Sequence, residues 1–276
     1  MRFRIFIFTV ILSILVSPVT SFCQGLWTLE RVHSALQGKN PNYNYKGQFK
    51  IESGQVVIAV LTGTGVTDLS PLKQMHVQVL DLRGLPISDI NDLKGLLLTQ
   101  LYLEDTGVSD LSPLTGMPLA KLYLNNTRVS DISPLKGMPL TDLNLLGTRV
   151  SDISPLQGAP LNFLWLNETP VSDISPLSGR PLVSLTLHKT GVKDLKPLSG
   201  SRLERLHIGE TPVTDLTPLD SLSLTRLIFT PARIIKGIEI IKNMKSIKEI
   251  GPSYENRMHP SKFWEMYDRK RFENSQ

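Results

Sequence analysis

The residues of this 276-residue chain best suited to chemistry are two histidines, His188 and His207, with Glu168 and Glu210 on neighbouring turns. Imidazole nitrogens and a carboxylate are a zinc ligand set. No HExxH or comparable spacing accompanies them, so no metal is assigned. A second candidate is the row Asp68, Asp89, Asp110, Asp131, Asp152, Asp173, Asp194 and Asp215, whose oxygens would suit calcium. Its strict 21-residue recurrence instead marks a repeated structural position. Gly63 and Gly65 form a GxG without the following helix that a phosphate cradle needs. Cys23 is the only cysteine, which leaves a chain processed beyond it with neither disulfides nor thiol chemistry. With no activated nucleophile and no paired acid and base, the sequence predicts a protein that is not an enzyme and uses no cofactor.

All these residues are positioned by one unit written eight times without an insertion, beginning at Val56, Val77, Leu98, Leu119, Leu140, Leu161, Leu182 and Leu203, with a decayed ninth at Leu224. Its first, fourth and sixth positions are apolar, as in Leu119, Leu122 and Leu124, and the last two alternate with variable residues as in a half-buried strand. A threonine follows in every copy except that of Leu85, and its hydroxyl can bond the backbone of its own coil or of the next. Each unit then runs through an apolar residue, an aspartate, a second apolar residue and Pro-Leu, as in Val129, Asp131, Ile132, Pro134 and Leu135. This corner predicts a short helical turn with Ser133 as N-cap and Pro134 as its first residue, and with Asp131 accepting backbone N–H groups nearby. Pro118, Pro139, Pro160 and Pro181 give the following strands an extended approach.

A period between about 20 and 29 with an LxxLxL core reads as a leucine-rich-repeat solenoid. The expected fold is an α/β solenoid with a parallel β-sheet on one face, short 3-10 or extended corners on the other, and caps at both ends. The strand, turn and DISPL corner resemble the internalin-type bacterial repeats. Two departures are threonine where internalins usually carry asparagine and a period one residue shorter. The segments Ser109 to Leu119, Gly209 to Leu216, Thr230 to Gly251 and Pro260 to Asp268 also resemble bacterial leucine-rich-repeat proteins that are exported or associated with Ser/Thr kinase modules. That resemblance covers nearly all of the chain after its first 25 residues and implies the fold far more strongly than a function.

Outside the repeats, Met1 to Arg4 is basic, Ile5 to Val16 is apolar, and Ser17 to Gln24 carries small residues. This is the pattern of a secretory signal with cleavage near Ser21 or Cys23, and it predicts a periplasmic or extracellular protein. An uncleaved membrane anchor and a lipid-modified Cys23 are the alternatives, the second disfavoured by bulky Phe22. The apolar run falls short of the roughly 20 residues needed to span a bilayer, so the mature chain is expected to have no membrane span. The expected organisation is a signal at 1–23, an N-terminal cap at 24–55, eight repeats at 56–223, and the ninth repeat with a C-terminal cap at 224–276. The first cap should hold a helix from Leu26 to Leu36 ending at Gly38, and a hairpin of Gln48 to Ile51 with Gln55 to Leu61. The second should hold a helical run from Ile234 to Met244 and an amphipathic helix from Ser261 to Phe272, with Phe263 and Trp264 as a lid on the last coil. The formal charge of +5 includes Arg2, Arg4 and a surplus of four in 232–276, which leaves −1 for the rest. No basic stripe follows the repeats, which excludes a nucleic-acid face.

Function is left to the outward strand positions. Their central column runs Val60, Asp81, Tyr102, Tyr123, Asn144, Trp165, Thr186, His207 and Ile228, on a face roughly 35 to 40 Å long at about 4.8 Å per coil. Tyr102, Tyr123, Phe163 and Trp165 cluster in its middle, and Arg205 and His207 follow. Exposed aromatic clusters are the usual centres of interfaces, so these six residues are the candidate partner-binding site, with a protein partner expected. Carbohydrate or cell-wall binding, through rings stacked on sugars, is the alternative. A purely structural envelope component is a third reading, in which the rings only brace the sheet.

Overall fold

The structure, a computed structural model, describes residues 25–269; the expected signal at 1–23 lies outside the described residues. Eleven strands form one sheet in chain order. β1 (Gln48–Glu52) pairs antiparallel with β2 (Gln55–Val60). Every later pair is parallel, through β3 (Val79–Asp81), β4 (Gln100–Tyr102), β5 (Lys121–Tyr123), β6 (Asp142–Asn144), β7 (Phe163–Trp165), β8 (Ser184–Thr186), β9 (Arg205–Ile208), β10 (Arg226–Phe229) and β11 (Glu249–Gly251). The chain is a leucine-rich-repeat solenoid.

The register follows from the absence of insertions. Leu101 pairs with Leu122, Leu122 with Leu143 and Leu143 with Leu164, so identical positions stack. The inward column Leu80, Leu101, Leu122, Leu143, Leu164, Leu185, Leu206 and Leu227 is at most 1% exposed. Each coil therefore buries its leucines against its neighbours, which a single coil could not do alone.

Two corner details differ from expectation or resolve it. Where the corner carries serine, that serine is the first residue of the 3-10 turn, as in Ser133–Leu135, and Ile132 occupies the cap position without a side-chain bond. The capping acceptor is the aspartate: Asp131 Oδ1 accepts from the Ser133 N–H at 2.7 Å and Oδ2 from its hydroxyl at 2.9 Å. Proline second in the turn has no N–H, so the serine N–H is the donor that needs an acceptor, and a carboxylate two residues earlier reaches it. These N–H and O–H bonds hold Asp110 and Asp152 below the usual carboxylate range. The buried threonines settle on their own coil: Thr127 donates to the Leu124 carbonyl at 2.6 Å and Thr148 to Leu145 at 2.7 Å. The hydroxyl thus closes the strand-exit turn and makes no bond along the stack.

Both ends are covered. Helix α1 spans Leu29–Lys39, later at both ends than its apolar spacing suggested, because Thr28 Oγ1 accepts from the Arg31 N–H at 3.2 Å and Asn40 closes the far end. Asn40 is 2% exposed and fully engaged. Its Nδ2 donates to Leu36 O at 3.1 Å and Asp68 O at 3.0 Å, and its Oδ1 accepts from the N–H groups of Thr67 and Asp68 at 2.8 Å. At the other end the helical run is only α2 (Ile238–Asn243), beginning after Gly237 at φ +82°, where a side chain would strike the Leu216–Thr217 backbone. The C-terminal helix α3 is Pro260–Asp268. Phe263 is fully buried, its ring 5.7 Å from that of Phe229 in the ninth coil. Among the described residues no helix is long and apolar enough to cross a membrane.

Candidate binding face

The strands place the outward columns side by side, but the middle of the face is not fully exposed. Tyr102, Tyr123, Phe163 and Trp165 are each half-buried, because they cover one another. The Tyr102 and Tyr123 rings stack at 5.1 Å and 29°, and Phe163 and Trp165 at 6.0 Å and 16°. Tyr123 and Trp165 meet at 5.9 Å although Asn144 stands between them in the column, since the smaller side chain leaves the gap that both rings close. Burial raises the phenol pKa of both tyrosines, with Asp142 adding to the effect at Tyr123. Neutral ring surface is therefore what this ribbon presents.

The face divides at Trp165. On the amino-terminal side Arg83 is closed on a carboxylate. Asp81, 5% exposed, accepts from the Thr62 hydroxyl at 2.9 Å and from Arg83 Nε at 2.9 Å, and the Arg83 guanidinium lies 5.7 Å from the Tyr102 ring centre. Glu104 is only 8% exposed; burial pushes its carboxyl up to about 7, against the pull of nearby Arg83.

On the carboxy-terminal side the face opens into a groove of about 380 Å³. Ser184 and Thr186 are its low floor, Phe163 and Trp165 one wall, and His207 with Tyr254 the other. Tyr254 was not foreseen. It belongs to the cap loop after β11 and stands 6.5 Å from the His207 ring, with the Arg257 guanidinium 4.2 Å and that of Arg226 5.7 Å from its centre. The same cap buries Ile228, which the repeat pattern placed outward. Arg205 lies 5.6 Å from the Phe163 ring centre. Arg226 is ion-paired with Glu249, which also faces Arg257 at 3.6 Å, whereas Arg205 has no carboxylate partner among the described residues.

His188 and His207 are brought together, as a stack with ring centres 4.9 Å apart. The His188 Nδ1–H donates to the Gly209 carbonyl at 3.1 Å, and its Nε2 faces Glu210 at 3.7 Å. Glu168 is turned to Lys189 at 3.6 Å instead. Burial, with His188 alongside, pulls His207 down to about 4, so its ring is neutral at physiological pH. Among the described residues no group of three His, Cys, Asp or Glu side chains converges on a point a metal could occupy.

The leucine-rich-repeat sheet carries one recessed, ring-lined side, and solved structures share its fold. An internalin (InlF) of Listeria monocytogenes is 28% identical, with a TM-score of 0.59 over 80% of this chain and 73% of its own. Internalin C2 of the same organism is 23% identical, with a TM-score of 0.59 over 72% and 92%. A plant ice-binding protein reaches 0.57 at 14% identity, over 73% and 79%. No protein-family model matches the chain, and no curated protein matches it by sequence. In fold the chain is an internalin-like leucine-rich-repeat protein.

Proposed function

We propose that this is an exported, non-enzymatic protein that binds a partner polypeptide through its strand face, from Tyr102 across the groove to Tyr254. The observation that carries this reading is the concentration of half-buried rings and a recess on one side of a solenoid whose core and corners are otherwise repeated. The likeness to an internalin supports an interaction role, and the composition of Met1 to Cys23 supports export. The division at 1–23, 24–55, 56–223 and 224–276 is part of the same proposal. Trp165→Ala combined with Tyr123→Ala should abolish pull-down of envelope partners while the protein stays folded. Unchanged pull-down with a lowered melting temperature would show that the rings only brace the sheet, as in a structural envelope component.

One observation favours carbohydrate as a second reading. Phe163 and Trp165, stacked within 16° of parallel, line the groove with aromatic surface of the kind that sugar rings stack on. A glycan array separates the two, since a polysaccharide signal lost on Trp165→Ala would replace the protein-binding reading.

A further inference from the structure

The groove also carries information about what enters it, provided the strand face is the binding side as proposed above. Its low floor arises where Ser184 and Thr186 interrupt a run of large outward residues, Trp165 lying beside Thr186 and Phe163 beside Ser184 in register. Of the arginines on the strand face, Arg83 is satisfied by Asp81 and Arg226 by Glu249. Arg205, in register between Ser184 and Arg226, has only the Phe163 ring among the described residues. A guanidinium resting on an aromatic face is held in position while its N–H donors stay available, and its fork matches a carboxylate. The one carboxylate lining the groove, Asp142, is occupied: it accepts from the Thr141 hydroxyl at 2.6 Å and faces Lys121 at 4.0 Å. Among the described residues, Thr186 Oγ1 is buried without a hydrogen-bond partner at the floor. The unmatched charge of the groove is thus positive and lies at Arg205.

We propose that the groove takes an acidic side chain of a partner polypeptide, its carboxylate on Arg205 and the apolar residues flanking it on Phe163, Trp165 and Tyr254. Charge complementarity favours an acidic over a neutral ligand, and the ring walls favour one whose acid is flanked by apolar surface. A polypeptide meets both needs within a few residues.

The test is a phage-displayed random peptide library selected on the whole protein, on Arg205→Gln and on Trp165→Ala, beside an array of acidic and neutral glycans. Circular dichroism melting of each variant confirms that it folds. The expected result is enrichment of Asp or Glu next to aromatic or aliphatic residues, with synthetic Glu peptides binding at least tenfold more tightly than their Gln counterparts. That preference should vanish on Arg205→Gln while melting is unchanged. Peptides without acid preference, lost on Trp165→Ala but not on Arg205→Gln, would overturn the acidic pocket and leave the strand face standing. Binding of acidic glycans with no peptide enrichment would replace the polypeptide by a polysaccharide. Failure of both libraries would remove the pocket and the strand-face reading together.

Discussion

The two ends of the strand face use the same residue types to opposite effect. Before Trp165, Arg83 is closed on Asp81 and the Glu104 carboxyl is buried. After Trp165, Arg205 has no carboxylate partner among the described residues, His207 is neutral in a stack with His188, and the floor drops to Ser184 and Thr186. An arginine beside an aromatic ring therefore has no fixed meaning in a repeat protein. Its role depends on whether a carboxylate lies within reach, as Asp81, two residues earlier in the same coil, does for Arg83 and none among the described residues does for Arg205.

The contrast is broken most strongly at Asp81. Asp81→Ala should lower stability by about 2 kcal/mol in denaturant unfolding, since it strips the Thr62 hydroxyl and the half-exposed Arg83 of a buried acceptor. Glu104→Gln should act with the opposite sign and with a pH dependence. The folded-state pKa of about 7 lies above the ordinary 4.5, so the native state holds a proton that the unfolded chain releases as pH rises from about 4.5 to 7. Native stability falls through that window, and Glu104→Gln should recover about 2 kcal/mol at pH 8 and little at pH 4. Melting curves of both proteins at the two pH values check this. The corner carboxylates pull the other way. Asp110 and Asp152 sit below their ordinary values through the bonds from Ser112 and Ser154, so their contribution is present at neutral pH and is lost as pH falls through the acid range. Tyr123→Ala should cost about 1 kcal/mol through lost ring packing. Arg205→Gln, at the open end, should change stability by less than about 0.5 kcal/mol, which calorimetry would show as an unshifted melt.

Legibility in the sequence followed the same division. Leucine periodicity revealed the strands, their parallel stacking and the outward columns, because the inward strand positions of every coil are filled by apolar residues. Corner chemistry was half legible. The residue types were evident, but whether Ser133 or Asp131 capped the turn depended on which N–H lacked a partner, and both choices fit the same letters. The groove was the least legible part. Arg205 and His207 were placed on the face correctly, yet Tyr254 lies in an aperiodic loop after β11, and no repeat position assigned it a direction. Glu104 shows the limit within the repeats, since it follows inward Leu103 in the strand alternation and is nonetheless only 8% exposed.

The central claim, that the carboxy-terminal half of the strand face is where a partner sits, is tested most directly by site-specific photo-crosslinking in the native host. A photoreactive phenylalanine analogue would replace Thr186 on the groove floor or Gln157 on the exposed corner side of the solenoid. The account predicts one discrete adduct from position 186, lost when Trp165 and Tyr123 are changed to alanine, and none from position 157. Equal adducts from both positions, or an adduct from position 157 alone, would contradict it.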